Sequence, residues 1–177
     1  LTTGQVIAIA SADLALMETD DIAALSTTAI AKLTTNQISA MSTAQVAALN
    51  TSSVGSLSTA VISSLSVNQI FALVTAQIAA LSSDSQIISL KNTQVAAMGT
   101  NQIAALSTDQ VVAMTTGQFA TMTTAQVSTL TTAQVSNMDT DDLVSLSTRQ
   151  FAAFKTSQIN GLTTDQWSSL KTAQIKG

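Results

Sequence analysis

The stretch MTTAQVSTLTTAQVSNM, residues 122–138, spells nearly the same eight letters twice and reaches a methionine where a third copy would begin. The same phrase continues through the whole chain. With the eight positions labelled a to h, Leu, Met, Ile or Phe occupies position a of 22 octads, which we number in chain order. Each octad reads approximately Leu-Ser/Thr-Thr-x-Gln-Ile/Val-Ala/Ser-Ala. Such self-similarity at a fixed period is typical of a tandem-repeat protein.

The repeat accounts for the whole of residues 1–177, which we interpret as one repeat domain. Eleven octads occupy residues 1–88, one extra residue interrupts the register within LSSDSQIIS (81–89), and eleven more octads occupy residues 90–177. The chain starts at Leu1 without a methionine, so we expect it to be a fragment of a longer protein.

A period of eight residues favours one short helix and one turn per octad. In a continuous α-helix eight residues advance by about 800°, so the apolar stripe would drift by roughly 80° per octad and no common face would survive. In a strand, positions a and f would point to opposite faces. The sequence therefore predicts an all-α solenoid of very short helices. A β-solenoid with two octads per coil is the alternative, although its corners would favour Gly or Pro at regular intervals, and the chain has six scattered Gly and no Pro.

The placement of charges predicts the direction of each helix. Eight of the ten acidic residues lie at d or e: Asp13, Asp20, Asp21, Asp84, Asp109, Asp141, Asp142 and Asp165. All five lysines lie at g, h or b: Lys32, Lys91, Lys155, Lys171 and Lys176. Carboxylates are favoured at the N-terminus of a helix and ammonium groups at its C-terminus. Each helix should therefore begin near d and end near a.

The nearly uniform column at position c predicts the N-cap. Thr occupies c in eighteen octads, for example Thr35, Thr43, Thr124 and Thr132, and a Thr hydroxyl is a preferred N-cap acceptor. A rival register places the cap at b, so that the Gln at e becomes the third helical residue of a capping box. We prefer c because b is variable and includes Val74, Lys91 and Gly99.

A lone octad cannot fold, because helices of this length are far shorter than the roughly 12–15 residues needed for marginal stability in isolation. Stability must come from a shared core of a and f side chains between stacked octads, as in other solenoids. Trp167 stands at an f position and is predicted to be a core substitution.

Composition argues against several classes of function. Only 9% of the residues are charged, the net charge is −4, and His, Cys and Tyr are absent. We therefore expect no enzyme activity, because the commonest general base and the thiol nucleophile are missing. We expect no cofactor and no disulfide, and no membrane span because no long apolar run exists. Six basic against ten acidic residues give no basic stripe for nucleic acid.

Three features are candidate sites. The Gln at e recurs sixteen times and could recognise a ligand, but we favour a role in bonding backbone groups of adjacent short helices. Asp20 and Asp21 in METDDIAA, and Asp141 and Asp142 in MDTDDLVS, are weak candidates for calcium, with helix N-terminal charge as the favoured interpretation. The Thr column could bind ice or carbohydrate, although capping explains the same column.

Two stretches resemble known families. The opening LTTGQVIAIAS, residues 1–11, resembles the start of a TAL-effector repeat, but we reject that relationship because the period here is eight rather than thirty-odd residues. The octads MSTAQVAAL (41–49), LVTAQIAAL (73–81) and MTTAQVSTL (122–130) are similar to the low-complexity regions of giant bacterial surface or secreted proteins labelled adhesins or haem-utilisation/adhesion-like proteins. That resemblance implies an extracellular or cell-surface location.

The resulting functional hypothesis is a stalk or spacer of a bacterial extracellular adhesin, able to associate with copies of itself. The alternative is a binding module whose Thr and Gln columns recognise ice or a polysaccharide.

Overall fold

A computed structural model describes residues 3–176, and positions 1, 2 and 177 of the repeat lie outside the described residues. The described chain is entirely helical and turn, with one helical segment per octad. The prediction of an all-α repeat solenoid is therefore confirmed. The β-solenoid alternative is wrong, since residues 3–176 contain no strand.

The chain divides into two compact units, Leu1–Leu90 and Lys91–Gly177. In the first, the helices are α1 Thr3–Ala8, α2 Ser11–Ala15, α3 Thr19–Ala23, α4 Thr27–Ile30, α5 Thr35–Ala40, α6 Thr43–Ala48, α7 Thr51–Ser56, α8 Thr59–Ser64, α9 Val67–Ala72, α10 Thr75–Ala79 and a π-helix Ser83–Ile87. In the second, they are α11 Asn92–Ala97, α12 Thr100–Ala104, α13 Thr108–Ala113, α14 Thr116–Thr121, α15 Thr124–Val127, α16 Thr132–Ser136, α17 Thr140–Ser145, α18 Thr148–Phe151, α19 Thr156–Asn160, α20 Thr164–Ser169 and α21 Thr172–Lys176.

The N-cap lies at position b, so the preference for c is wrong. The hydroxyl of Thr34 accepts from the backbone N–H of Gln37 at 3.3 Å, and Ser42, Thr123 and Thr131 act in the same way on the Gln three residues later. Thr35, Thr43, Thr124 and Thr132 are instead the first residues of their helices. The acceptor must sit outside the helix in extended conformation to reach an N–H at the third helical position, and b meets that condition.

Position b can vary because the Gln at e completes the other half of the capping box. The backbone N–H of Val74 donates to Oε1 of Gln77 at 2.8 Å, and Lys91 and Gly99 donate to their own Gln in the same way. One of the two reciprocal bonds therefore survives where b carries no acceptor side chain. The predicted helix direction is confirmed, since the acidic d and e positions fall in the first turn of helices such as α3 and α17.

The extra residue within 81–89 is absorbed inside a helix. Residues Ser83–Ile87 form a π-helix, and the N–H of Ile87 donates to the carbonyl of Ser82, five residues earlier, at 3.0 Å. A single π turn is the usual way to accommodate one inserted residue in a helix. As a result Gln86 and Ile87 keep the e and f roles and both are buried.

Each helix packs against the helix three positions away in its unit, from α1 with α4 to α7 with α10, and from α11 with α14 to α18 with α21. Side chains at a and f form the aliphatic core, with Gln at e buried beside them. Hydrogen bonds described below connect helices four positions apart. Within each unit the chain therefore winds as a superhelix with between three and four octads per turn.

Trp167 does not lie in the core, contrary to the prediction. Its side chain is 45% exposed, and Ile175, the next f residue, is 61% exposed. An f side chain is covered by the helices that follow it three and four positions later. No such helices follow octads 21 and 22 among the described residues, so these two f side chains remain open on one side.

Candidate functional site

The Gln at position e is the most regular polar feature of the interior. Gln69 of α9 is 3% exposed, and its Oε1 accepts from the backbone N–H of Ser66 at 2.9 Å. Its Nε2 donates to the carbonyls of Ile38 at 2.8 Å and Met41 at 2.9 Å, which lie 31 and 28 residues earlier. One carboxamide thus caps its own helix and bonds the preceding superhelical turn.

The same pair of long-range bonds recurs in both units. Each donor reaches the carbonyls of the f residue and of the following a residue, at the helix four positions earlier. The donors with both bonds within one unit are Gln37, Gln45, Gln69, Gln77, Gln86, Gln126, Gln134, Gln150, Gln158, Gln166 and Gln174. These amides are buried and bonded to backbone, which supports the structural interpretation of the Gln column over ligand recognition.

Gln suits this position because it carries two N–H donors and a carbonyl acceptor on one planar group. Within residues 3–176, the a residue lies between two consecutive helices, and its backbone carbonyl accepts no hydrogen bond from the backbone of either helix. A buried backbone carbonyl without a partner is unfavourable, so each Gln amide removes such an unfavourable term by donating to this carbonyl. Sequence reasoning identified the backbone-bonding role, but the partners four octads away could not be derived without the number of octads per turn.

Three interior e positions of the first unit lack a Gln. Ala29 and Val61 are buried apolar residues, and Ser53 is 1% exposed. By the register of the other octads, a Gln at 53 would reach the carbonyls of Ile22 and Leu25. The shorter Ser53 side chain makes no such bond, and its Oγ has no hydrogen-bond partner.

Asp142 is the exception in the second unit. This e residue of α17 is 4% exposed, and its Oδ1 accepts from the hydroxyl of Thr116 in α14 at 2.8 Å. Burial raises the pKa of the Asp142 carboxyl above its ordinary value. The Thr116 hydrogen bond lowers this pKa, whereas the nearby carboxylates of Asp139 and Asp141 raise it further.

Asp142 lines an open cavity of about 560 Å³ within the second unit. Three further carboxylates line the same cavity, those of Asp139, Asp141 and Asp165, together with the hydroxyl residues Thr115, Thr116, Ser136, Thr140 and Thr163. No Lys or Arg is among these lining residues. The cavity is therefore lined by four carboxylates and by no basic side chain.

The calcium candidates do not form a compact ligand set. Asp20, Asp21 and Asp141 are exposed, whereas Asp142 is buried against Thr116, so the adjacent carboxylates of octad 18 differ in environment. Across residues 3–176, no group of three or more acidic, His or Cys side chains is arranged to hold a metal ion. Both pairs lie at the second and third helical positions, where carboxylates complement the helix dipole.

The outer surface is formed by positions b, c and d. Thr34, Thr35, Thr131 and Thr132 are all exposed, as are most of their equivalents. Position c also lies at the seam between helices three apart: the hydroxyl of Ser56, at h, donates to the carbonyl of Thr27 at 3.4 Å. A Cβ added to Gly161, also at h, would collide with Cγ2 of Thr132. The Thr132 side chain therefore packs between turns, although it does not cap its helix.

A comparison of the sequence with known families also identifies a repeat. The model of the ALTTAQ repeat matches residues 6–51, 85–116 and 135–172, which together make up more than half of the chain. The chain belongs to the ALTTAQ repeat family. In the register used here, the six letters of that name run from position h to position e, and so end on the Gln that bonds the preceding turn. No curated protein matches the sequence.

None of the helices within residues 3–176 combines the length and the apolar character required to cross a lipid bilayer.

Proposed function

We propose that this ALTTAQ repeat chain is a structural segment, a stalk or spacer within a bacterial extracellular adhesin. The observation that carries the proposal is the range of the contacts. In each unit a helix packs on the helix three positions away and bonds the one four positions away. A protein held together only by neighbouring repeats gains length with each added repeat, which is the property that a spacer needs.

The chemistry of the surface supports a role without catalysis. The exposed positions carry mainly Ser, Thr, Asn and Ala, and the whole sequence contains no His, Cys or Tyr. The abundant hydroxyls therefore have no imidazole or thiolate to activate them. We propose no enzyme activity and no cofactor for the chain, and its resemblance to giant bacterial surface proteins supports a location at the cell surface.

Pulling single molecules from their two ends tests the spacer role. We expect a sequence of small steps or a plateau in force, because each turn of the superhelix opens with the loss of its own amide bonds. A variant with Gln158→Ala should lower the force of one part of that trace and leave the rest unchanged. A single rupture of the whole chain at one force would contradict the proposal.

Self-association through the exposed positions b, c and d is the second part of the proposal. Few charges repel one copy from another, and the hydroxyl face repeats at every octad. We expect larger species to form with increasing concentration in sedimentation velocity. Strict monomers at millimolar concentration would exclude assembly through this face.

Recognition of a polysaccharide or ice is the second candidate function, and the exposure of the c column favours it. Since c does not cap, Val can replace Thr there without removing the cap. The variant Thr124→Val, Thr132→Val, Thr148→Val and Thr156→Val should keep the helical circular dichroism of the wild type. Loss of glycan retention or ice shaping in this folded variant would support recognition, and unchanged binding behaviour would favour the spacer alone.

A further inference from the structure

The buried carboxyl group of Asp142 lies at position e, where most octads carry the carboxamide of Gln. Sixteen octads carry Gln at e, and each Gln with bonds inside one unit donates to two carbonyls of the preceding turn. In the same register, the carbonyls assigned to Asp142 are those of Val111 and Met114. Met114 and Asp142 line the same cavity, but the Asp142 side chain is one methylene shorter than that of Gln, and its oxygen accepts from the hydroxyl of Thr116 instead.

The protonation state of Asp142 decides whether a charge is buried between superhelical turns. An ionised carboxylate only accepts hydrogen bonds, whereas a carboxylic acid also has one O–H donor. At 4% exposure, the ionised form leaves a charge buried beside a cavity that no Lys or Arg lines, which is unfavourable. The bond from Thr116 satisfies one oxygen in either state.

Two of the charged groups around Asp142, the carboxylates of Asp139 and Asp141, also favour its neutral form. Helix α17 packs against α14 and α20, and its residues Leu143 and Val144 accept bonds from Gln174 and Lys171 at α21. The charged groups on or beside these elements and on α13 are Asp109, Asp139, Asp141, Asp165, Lys171 and Lys176. Lys171 points its Nζ to the carbonyl of Val144 at 3.0 Å. α14 contains no charged residue.

We propose that Asp142 makes the stacking of octad 18 on the preceding superhelical turn sensitive to pH, with the tighter contact formed when the carboxyl carries a proton. The inference rests on the fold and is independent of the spacer function.

The direction of the effect follows from linkage. The pKa of Asp142 is raised in the folded chain, so the folded state binds the proton more strongly than the unfolded state does. This contribution to stability is complete below the ordinary aspartate pKa of about 3.9. It is lost as the pH rises through the higher pKa of the folded state.

The test compares the full chain with Asp142→Gln, Asp142→Asn and the control Asp141→Asn, which changes an exposed carboxylate on the same helix. Amide hydrogen exchange of α17 is measured from pH 4 to pH 8 in EDTA, which removes any effect of divalent cations, and corrected for the intrinsic pH dependence of exchange. Each unit of difference in pKa corresponds to a tenfold change in the opening equilibrium.

We expect protection of α17 in the wild type to fall several-fold relative to Asp142→Gln between pH 4 and pH 8. Asp142→Asn should remove this pH dependence, and Asp141→Asn should retain it. A constant ratio of protection between the wild type and Asp142→Gln across the whole range would overturn the proposal. So would an equal loss of pH dependence in Asp141→Asn.

Discussion

At the scale of the residue, the carboxamide at position e performs two tasks with one planar group. In Gln126, Oε1 accepts from the N–H of Thr123 at 2.7 Å, and Nε2 donates to the carbonyls of Val95 and Met98 at 2.9 and 2.7 Å. Glu could accept but not donate, and Asn is one methylene shorter. The near uniformity of e therefore follows from hydrogen bonding, whereas position d, which is exposed, varies freely.

Replacing Gln126 by Ala should destabilise the chain by about 2–4 kcal/mol, because the Met98 carbonyl loses its donor, the Val95 carbonyl keeps only the N–H of Met98, and the cap loses half of its box. Urea unfolding followed by circular dichroism measures the change. The matched control is Ala125→Ser at the neighbouring exposed position, which should stay within about 0.5 kcal/mol of the wild type. Equal effects of the two substitutions would contradict the assigned role of the Gln.

Ser53→Gln should stabilise the first unit by about 1–2 kcal/mol. The new amide would supply the donors for Ile22 and Leu25 and remove the unpartnered Ser53 hydroxyl. Thermal unfolding of the variant provides the measurement, with Ser52→Gln on the exposed neighbour as the control. A lower midpoint for Ser53→Gln than for Ser52→Gln would show that the site cannot accept the longer side chain.

At the scale of the element, each helix is defined by its two ends more than by its interior. Four to six residues allow only one or two turns, so the cap bonds are a large share of the bonds that the helix makes. The b residue and the Gln at e together satisfy two of the N–H groups that a helix start leaves open.

Substitution of adjacent threonines separates the cap from the surface column. Thr131→Ala removes the acceptor for the N–H of Gln134 and should cost about 0.5–2 kcal/mol. Thr132→Ala at the first helical position should cost less, because only its packing against Gly161 is lost. Chemical unfolding of both variants gives the comparison. A larger loss for Thr132→Ala would place the cap at c.

The π-helix offers a similar test by deletion. Removing Ser85 should convert octad 11 to the ordinary eight residues with little loss of stability, since Gln86 already occupies the e role. Removing Ala125 from the regular octad 16 shortens that octad to seven residues and should cost several kcal/mol, because Thr123 and Gln126 can no longer form a capping box. Thermal unfolding of the two deletion variants measures the difference in stability. Equal midpoints would show that stability does not depend on the register of the octads.

The sequence predicts this level of structure well, with one error. The carboxylates at d and e correctly indicated the start of each helix. The cap was misplaced by one residue because c is chemically more uniform than b. At Thr132 the c side chain packs against Gly161 at the seam, and packing of that kind becomes visible only when the neighbouring turn is known. The cross-turn bonds of Gln69 were beyond sequence reasoning for the same reason.

At the scale of the whole molecule, stability should depend on the number of octads in a threshold manner. The amide of one octad bonds the f carbonyl of the octad four positions earlier and the a carbonyl of the next octad, so a fragment of four octads can contain only one of these long-range bonds. Within the second unit, peptides of four octads should show little helical circular dichroism, and the signal per residue should rise steeply between five and eight octads. Full helicity in a four-octad peptide would show that contacts between helices three apart suffice.

In the hydrogen bonds described above, the Gln amide always donates to carbonyls that lie earlier in the chain. This direction affects how the number of repeats can change during evolution. An octad with Gln at e carries its own donors and presents the same acceptors to a later octad, so duplication or deletion of such an octad leaves both sides of the junction chemically matched. Recombination between near-identical stretches of coding sequence can therefore change the copy number of the repeat without compensating mutations. Lineages carrying such a gene should differ in the length of this region far more often than in the identity of its glutamines.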